Sequence, residues 1–186
     1  MSLYSREYID RVIVQNRDWI HSVAARYRMP SAAILAVLRL EMERIDAFDL
    51  AADFVVSSQV FSKKDSSTGP MQIFGRTGVH AINFAVAGGL TSYSALGFHV
   101  NHRLDEHNIA DVHLVWKRMH QDVHANIEIA ALNLLCCAHE MTGRLDFDSF
   151  SASDLKLIFT RYNQDTRSIT AYGETAYRYY LFYLRR

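Results

Sequence analysis

The sequence predicts a mainly α-helical single domain, with at most one small β-hairpin and a central helix buried on all sides. Three observations lead there. Apolar residues recur at three- and four-residue steps along most of the chain, the period of one helix face. One stretch, AAILAVL (32–38), is apolar all round, the pattern of a helix enclosed by protein rather than lying on a surface. A length of 186 residues, 49% of them hydrophobic, suits one compact domain with a substantial core and argues against a second.

The elements follow in order. A first helix is expected over 5–27, where Ile9, Val12, Ile13, Ile20, Val23, Ala24 and Tyr27 share a face. Pro30 and Ser31 punctuate, and the buried helix runs over 31–44, ending in Glu41-Met-Glu-Arg44. A short helix is expected over 47–56, then a polar loop and the run STGPMQI (67–73). Any hairpin lies between Ser57 and Ile73. A helix over 77–87 is stopped by Gly88-Gly89, and 92–108 is irregular. From about Val112 the helical pattern resumes and a long apolar helix runs to Thr142, where Gly143 is placed to cap it. Ser151 and Ser153 open DLKLIFTRYN, with Asp154 favourable in the first turn, and an aromatic-rich helix over 172–186 closes the chain.

Composition removes several classes of function. Lys+Arg and Asp+Glu both number 20, and no basic stripe stands out to concentrate nucleic acid or an anionic membrane surface. Cys136 and Cys137 are adjacent, a placement that strains a disulfide, so free buried thiols are expected. A thiol in an apolar helix has its pKa raised and is a poor nucleophile. The opening SLYSREYIDRVIVQNRDWI breaks its hydrophobics with charges, unlike a signal peptide, and no run approaches the roughly 20 apolar residues that cross a bilayer. The expectation is a chain made in the cytoplasm with no visible export address and no membrane span, or a domain excised from a larger exported one.

Chemistry concentrates at the end of the central helix. A carboxylate there is costly to ionise, so burial favours a Glu41 able to hold a proton and act as a general acid. The alternative reading places Glu41 or Glu43 at a helix end, pointing to water and paired with Arg39 or Arg44. In STGPMQI, Gly69 allows the backbone to pass close to a ligand, and Gln72 offers both donor and acceptor. Among the nine histidines, His120-x3-His124 and His99-x2-His102 have partial metal-ligand spacing, but neither declares a third ligand, so no metal and no cofactor are expected.

The spacing Pro30-x10-Glu41, the run STGPMQI, His124-Ala-Asn-Ile127 opening a long helix, and Arg161-Tyr-Asn163 together resemble, in order and rough spacing, the lysozyme-like soluble lytic transglycosylases and goose-type lysozymes. The resemblance covers residues 30–180 and leaves 1–28 as an N-terminal accessory helix. It implies a lysozyme-like fold in which Glu41 is the catalytic acid. It also implies a sugar-contacting wall of Gly69, Met71 and Gln72, with Asn126, Tyr162 and Asn163 in the site. Tyr172 or Tyr177, in YGETAY, is the matching cleft aromatic. The sequence departs from the family pattern at Met42, where serine is common, at Pro70, where leucine is usual, and in a longer loop over 43–68.

That loop bears on mechanism. An inverting glycosidase needs a second carboxylate about 6.5–9.5 Å from the acid, and a retaining one needs it at about 5–5.5 Å. Asp65, four residues before Gly69, is the candidate water-activating base, with Asp53 behind it. The expected function is a muramidase cutting the β-1,4 backbone of peptidoglycan. The alternatives are a lytic transglycosylase, whose substrate closes its own anhydro ring and leaves the loop aspartates as bystanders, and a lysozyme fold used only for binding or structure. The implied partners are glycan strands and an immunity or inhibitor protein. The implied route to the wall is phage-type release or delivery by a secretion machine.

Overall fold

The computed structural model describes residues 3–45, 56 and 65–186. Asp46, Asp49 and Asp53 lie outside the described residues, as does all but Val56 of the helix expected over 47–56. The chain is mainly helical, with eight α-helices and one two-stranded antiparallel sheet among the described residues. None of these helices is long and apolar enough to cross a membrane.

Two stretches of continuing apolar periodicity are each divided into two helices, the second just before the His124–Ile127 run that opens the long helix. The first is split into α1 (Arg6–Gln15) and α2 (Arg17–Arg26) at Asn16. The Asn16 side chain donates to the Val12 carbonyl at 2.8 Å, the kind of local bond by which asparagine competes with the helical ladder. The second is split at Asp122 into α5 (Ile109–Gln121) and α6 (Val123–Thr142). The Asp122 carboxylate accepts from the backbone N–H groups of His124 and Ala125, so it starts a new helix rather than continuing the old one. Gly143 ends α6 at φ 72°, and Ser151 with Asp154 forms a capping box on α7 (Ala152–Asn163), both as the sequence leads one to expect.

The helix α3 (Ser31–Arg44) is buried from Ala32 to Leu38 without a break. It packs chiefly against α8 (Ala171–Leu184), and it also meets α1, α2 and α6. The most enclosed helix is α6, buried from Ala125 through Ala138 and contacted by α2, α3, α4 (Gly75–Ala87), α5 and α7. One connected cluster of apolar side chains runs from Ile9 in α1 to Tyr180 in α8. Each fully buried Leu, Ile, Val or Phe in it contributes roughly 1.5–3 kcal/mol of transfer free energy. The strands β1 (Ser67–Thr68) and β2 (Ile73–Phe74) pair Thr68 with Ile73, so the hairpin is the STGPMQI run itself, and α4 leaves directly from β2.

Candidate active site

Because α3 has no polar face, its one carboxylate in the buried stretch is held inside the protein. Glu41 is only 5% exposed. Its partner comes from 131 residues further along, where the Tyr172 hydroxyl donates to Glu41 Oε1 at 2.5 Å. Burial first, and then the charge of Glu41, push the Tyr172 phenol well above its ordinary value, so it stays a neutral donor. Tyr162 is pushed up for the same two reasons. Glu43, two residues on, faces elsewhere, because i and i+2 do not share a helix face. It pairs with Arg39 at 3.0 Å and accepts from the Tyr179 hydroxyl at 2.6 Å. The pairing with Arg39 expected at the helix end is therefore made by Glu43.

Tyr172 reaches Glu41 because α8 begins unusually close to α7. A Cβ placed on Gly173 would lie 2.1 Å from Thr160 Oγ1 and 2.3 Å from the Lys156 carbonyl oxygen, so only glycine fits there. The approach is tied off by the Thr170 backbone N–H donating to Thr160 Oγ1 at 3.1 Å.

The hairpin forms the facing wall. Gly69 has φ +66°, and a Cβ there would sit 2.6 Å from Asn126 Cγ. That proximity lets Asn126, fully buried in the first turn of α6, donate to the Thr68 carbonyl at 3.0 Å and accept from the Met71 N–H at 2.9 Å. The Tyr162 hydroxyl donates to the Met71 carbonyl at 2.9 Å. Gln72, at φ 47°, donates to the Gly69 carbonyl and accepts from the Ser67 hydroxyl, both at 2.9 Å, which fixes its amide at the rim of the site.

Between these walls lies a cleft of about 410 Å³, lined among others by Glu41, Gln72, Tyr162, Asn163, Arg161, Cys136, Glu140 and His80. This is within the roughly 300–1,000 Å³ of small-ligand sites. The far wall carries a second carboxylate in a different environment. Burial works against ionising Glu140, but Arg161 at 2.8 Å and His80 at 3.2 Å outweigh it, and its pKa lies below the ordinary value. Burial raises the Cys136 thiol to about 12 and Cys137 further, so neither free thiol is an activated nucleophile.

Of the candidate residues, Glu41, Gln72, Tyr162 and Asn163 share the cleft. Others have different tasks. Asp65, the candidate base, spends both carboxylate oxygens on the start of α4, accepting from Gly75 N–H at 2.6 Å and Arg76 N–H at 3.1 Å. Burial raises its pKa against the pull of those amides, and it does not line the cleft. Met71 is fully buried and presents only core, while Gly69 and Asn126 shape the turn instead of offering a free polar group. Tyr172 is a partner of Glu41 rather than a cleft-lining ring. Tyr177 lies away from the cleft, packed on Tyr180 and beneath the Lys156 ammonium. Asp53 lies outside the described residues. His120 and His124 do not share a helix, since Asp122 separates them. His120 stacks on Trp116 and bonds Thr68, and His124 stacks on Trp19.

The sequence reading missed the wall formed by His80, Cys136 and Glu140. The one available signal was Cys136-x3-Glu140, a same-face pair on a helix, and nothing in the pattern marks His80 as its neighbour. Scans of the chain against protein-family models, curated proteins and solved structures return no match.

Proposed function

We propose that this cleft cleaves the β-1,4 MurNAc–GlcNAc backbone of peptidoglycan, with Glu41 as the general acid. The observation that carries the reading is Glu41 itself, a carboxyl buried in an apolar helix, opening on a ligand-sized cleft and held by the Tyr172 hydroxyl at 2.5 Å. Support comes from the sequence landmarks that resemble the lysozyme-like enzymes. Of these landmarks, Gln72, Tyr162 and Asn163 line the same cleft as Glu41, and Asn126 and Tyr162 hold the hairpin that carries Gln72.

In this mechanism Glu41 gives its proton to the glycosidic oxygen as the bond from that oxygen to the sugar C1 breaks. Gln72 and Asn163 hold the sugar, and Tyr172 orients the acid. In the muramidase route a water adds to C1 and passes its proton to a second carboxylate. A second reading, lytic transglycosylase chemistry, is favoured by the engagement of Asp65 with the start of α4. There the sugar's own hydroxyl attacks C1, closes an anhydro ring and returns a proton to Glu41. In either route the partner is the glycan strand, reached from outside the cell or by delivery, with an inhibitor protein as the natural safeguard.

Mass spectrometry of soluble products from purified peptidoglycan tests this. Cleavage is expected with wild type and is lost by about 10²–10⁴-fold or more in Glu41→Gln, with folding retained. Reducing-end muropeptides mean hydrolysis, and products lighter by one water mean the anhydro ring. Cleavage by Glu41→Gln at the wild-type rate, or no cleavage of any wall type, refutes the proposal and leaves a binding module.

A further inference from the structure

The wall of the cleft opposite Gln72 has a geometry that sugar chemistry does not require. Cys136 and Glu140 lie one turn apart on α6, and His80 reaches them from the middle of α4. One ligand atom from each of the three lies within 4.8 Å of the others. Glu140 Oε1 is 3.2 Å from His80 Nε2 and 3.7 Å from Cys136 Sγ. Zinc bonds of about 2.0 Å to nitrogen and oxygen and about 2.3 Å to sulfur, set at tetrahedral angles, require edges of about 3.3 Å and about 3.5 Å. The two edges that meet at Glu140 already stand at nearly that spacing, and the third, between His80 and Cys136, lies within 4.8 Å.

The surrounding groups match what a metal site needs from its supports. A ligating histidine ordinarily gives its other ring nitrogen to a carboxylate, and a ligating carboxylate has its other oxygen held. Here His80 Nδ1 faces Glu106 Oε2 at 3.3 Å, and Arg161 Nε donates to Glu140 Oε2 at 2.8 Å. Both supports bind the atoms that point away from the shared centre, leaving Nε2, Sγ and Oε1 turned toward one another.

The geometry points to a site for one thiophilic divalent ion of the zinc class, held by His80, Cys136 and Glu140 with its fourth position open to the cleft. Cysteine and imidazole select such ions over Mg²⁺ and Ca²⁺, which want oxygen. Three protein ligands and an open vertex distinguish the site from a closed structural zinc. Binding displaces the thiol proton to solvent. The inference does not depend on the glycosidase reading, since it concerns a different wall and is tested by binding alone.

The test is a titration of the chelator-treated full chain with Co²⁺, followed by absorbance and calorimetry. One equivalent is expected to bind and to produce a thiolate-to-cobalt charge-transfer band that Zn²⁺ abolishes and Mg²⁺ does not. Cys136→Ser is expected to lose the band. Glu106→Gln, at the exposed rim, is expected to fold and melt as wild type without metal but to bind about 10–100-fold more weakly. Absence of the band in wild type, its persistence in Cys136→Ser, or unchanged affinity in both Glu106→Gln and His80→Gln overturns the assignment.

Discussion

Gly173→Ala probes how packing places the Glu41 partner. The added methyl would meet Thr160 Oγ1 at 2.1 Å and the Lys156 carbonyl oxygen at 2.3 Å, where ordinary contact begins at 3.4 Å. One of the two obstacles is helix backbone and cannot swing aside, so α8 has to retreat from α7 by roughly 1 Å, an overpacking cost of about 1–3 kcal/mol. The same retreat displaces Tyr172 by a distance larger than the roughly 0.5 Å that separates its 2.5 Å bond to Glu41 from the roughly 3.0 Å limit of a good O–H···O bond. In a domain of this size about 1–3 kcal/mol lowers the melting temperature by roughly 2–12 °C. Thermal unfolding followed by circular dichroism measures it, with Gly88→Ala as control, because Gly88 has φ −80° and its nearest atom is 3.4 Å away. Cleavage is expected to fall with stability in Gly173→Ala and to hold in the control. A Gly173→Ala protein that melts with wild type would show that the close approach of the two helices does not set the site, and the argument would fail.

Three further outcomes follow from the same geometry. Asp65→Ala is expected to cost about 0.5–2 kcal/mol, as removal of a helix-start acceptor does, while leaving the cleavage rate intact well below the melting point. A lost rate with unchanged melting would return Asp65 to the chemistry. Asn126→Ala removes both hydrogen bonds to the hairpin and leaves buried backbone groups unpaired, and urea unfolding is expected to show a loss of about 2–4 kcal/mol. Tyr172 and Tyr162 are both raised well above 10.0 in the folded chain, so their contribution is whole below pH 10 and is lost as pH rises past it, when the unfolded phenols ionise and the folded ones do not. Tyr172→Phe should flatten that alkaline decline in stability, and an unchanged decline would contradict the burial.

What the sequence made legible was local. Gly143 and the Ser151–Asp154 box lie within one turn of the ends they cap, and both are where the pattern puts them. The all-round apolarity of α3 left Glu41 open between burial and a solvent-facing helix end, and the structure buries it. The break at Asn16 was readable in principle, since asparagine prefers caps to helix interiors, but apolar periodicity continues across it and masks it. The roles that could not be read all depend on residues far apart along the chain. Asp65 binds amides ten residues on, Tyr172 reaches back 131 positions, and His80 meets Glu140 across sixty. Spacing along one helix says which side chains share a face. It does not say which other helix that face will meet.

Met71 shows what such distant ties do to the hairpin. A two-stranded ribbon alone is marginally stable in water and frays from its ends. Here the N–H and carbonyl of one turn residue are gripped by side chains from two different helices, Asn126 at the start of α6 and Tyr162 near the end of α7. Exposing that amide means withdrawing Asn126 from the core, so the turn should exchange its hydrogens only when the whole domain opens. A wall so constrained loses little conformational entropy when something docks against it, and it selects ligands by fit instead of by yielding to them.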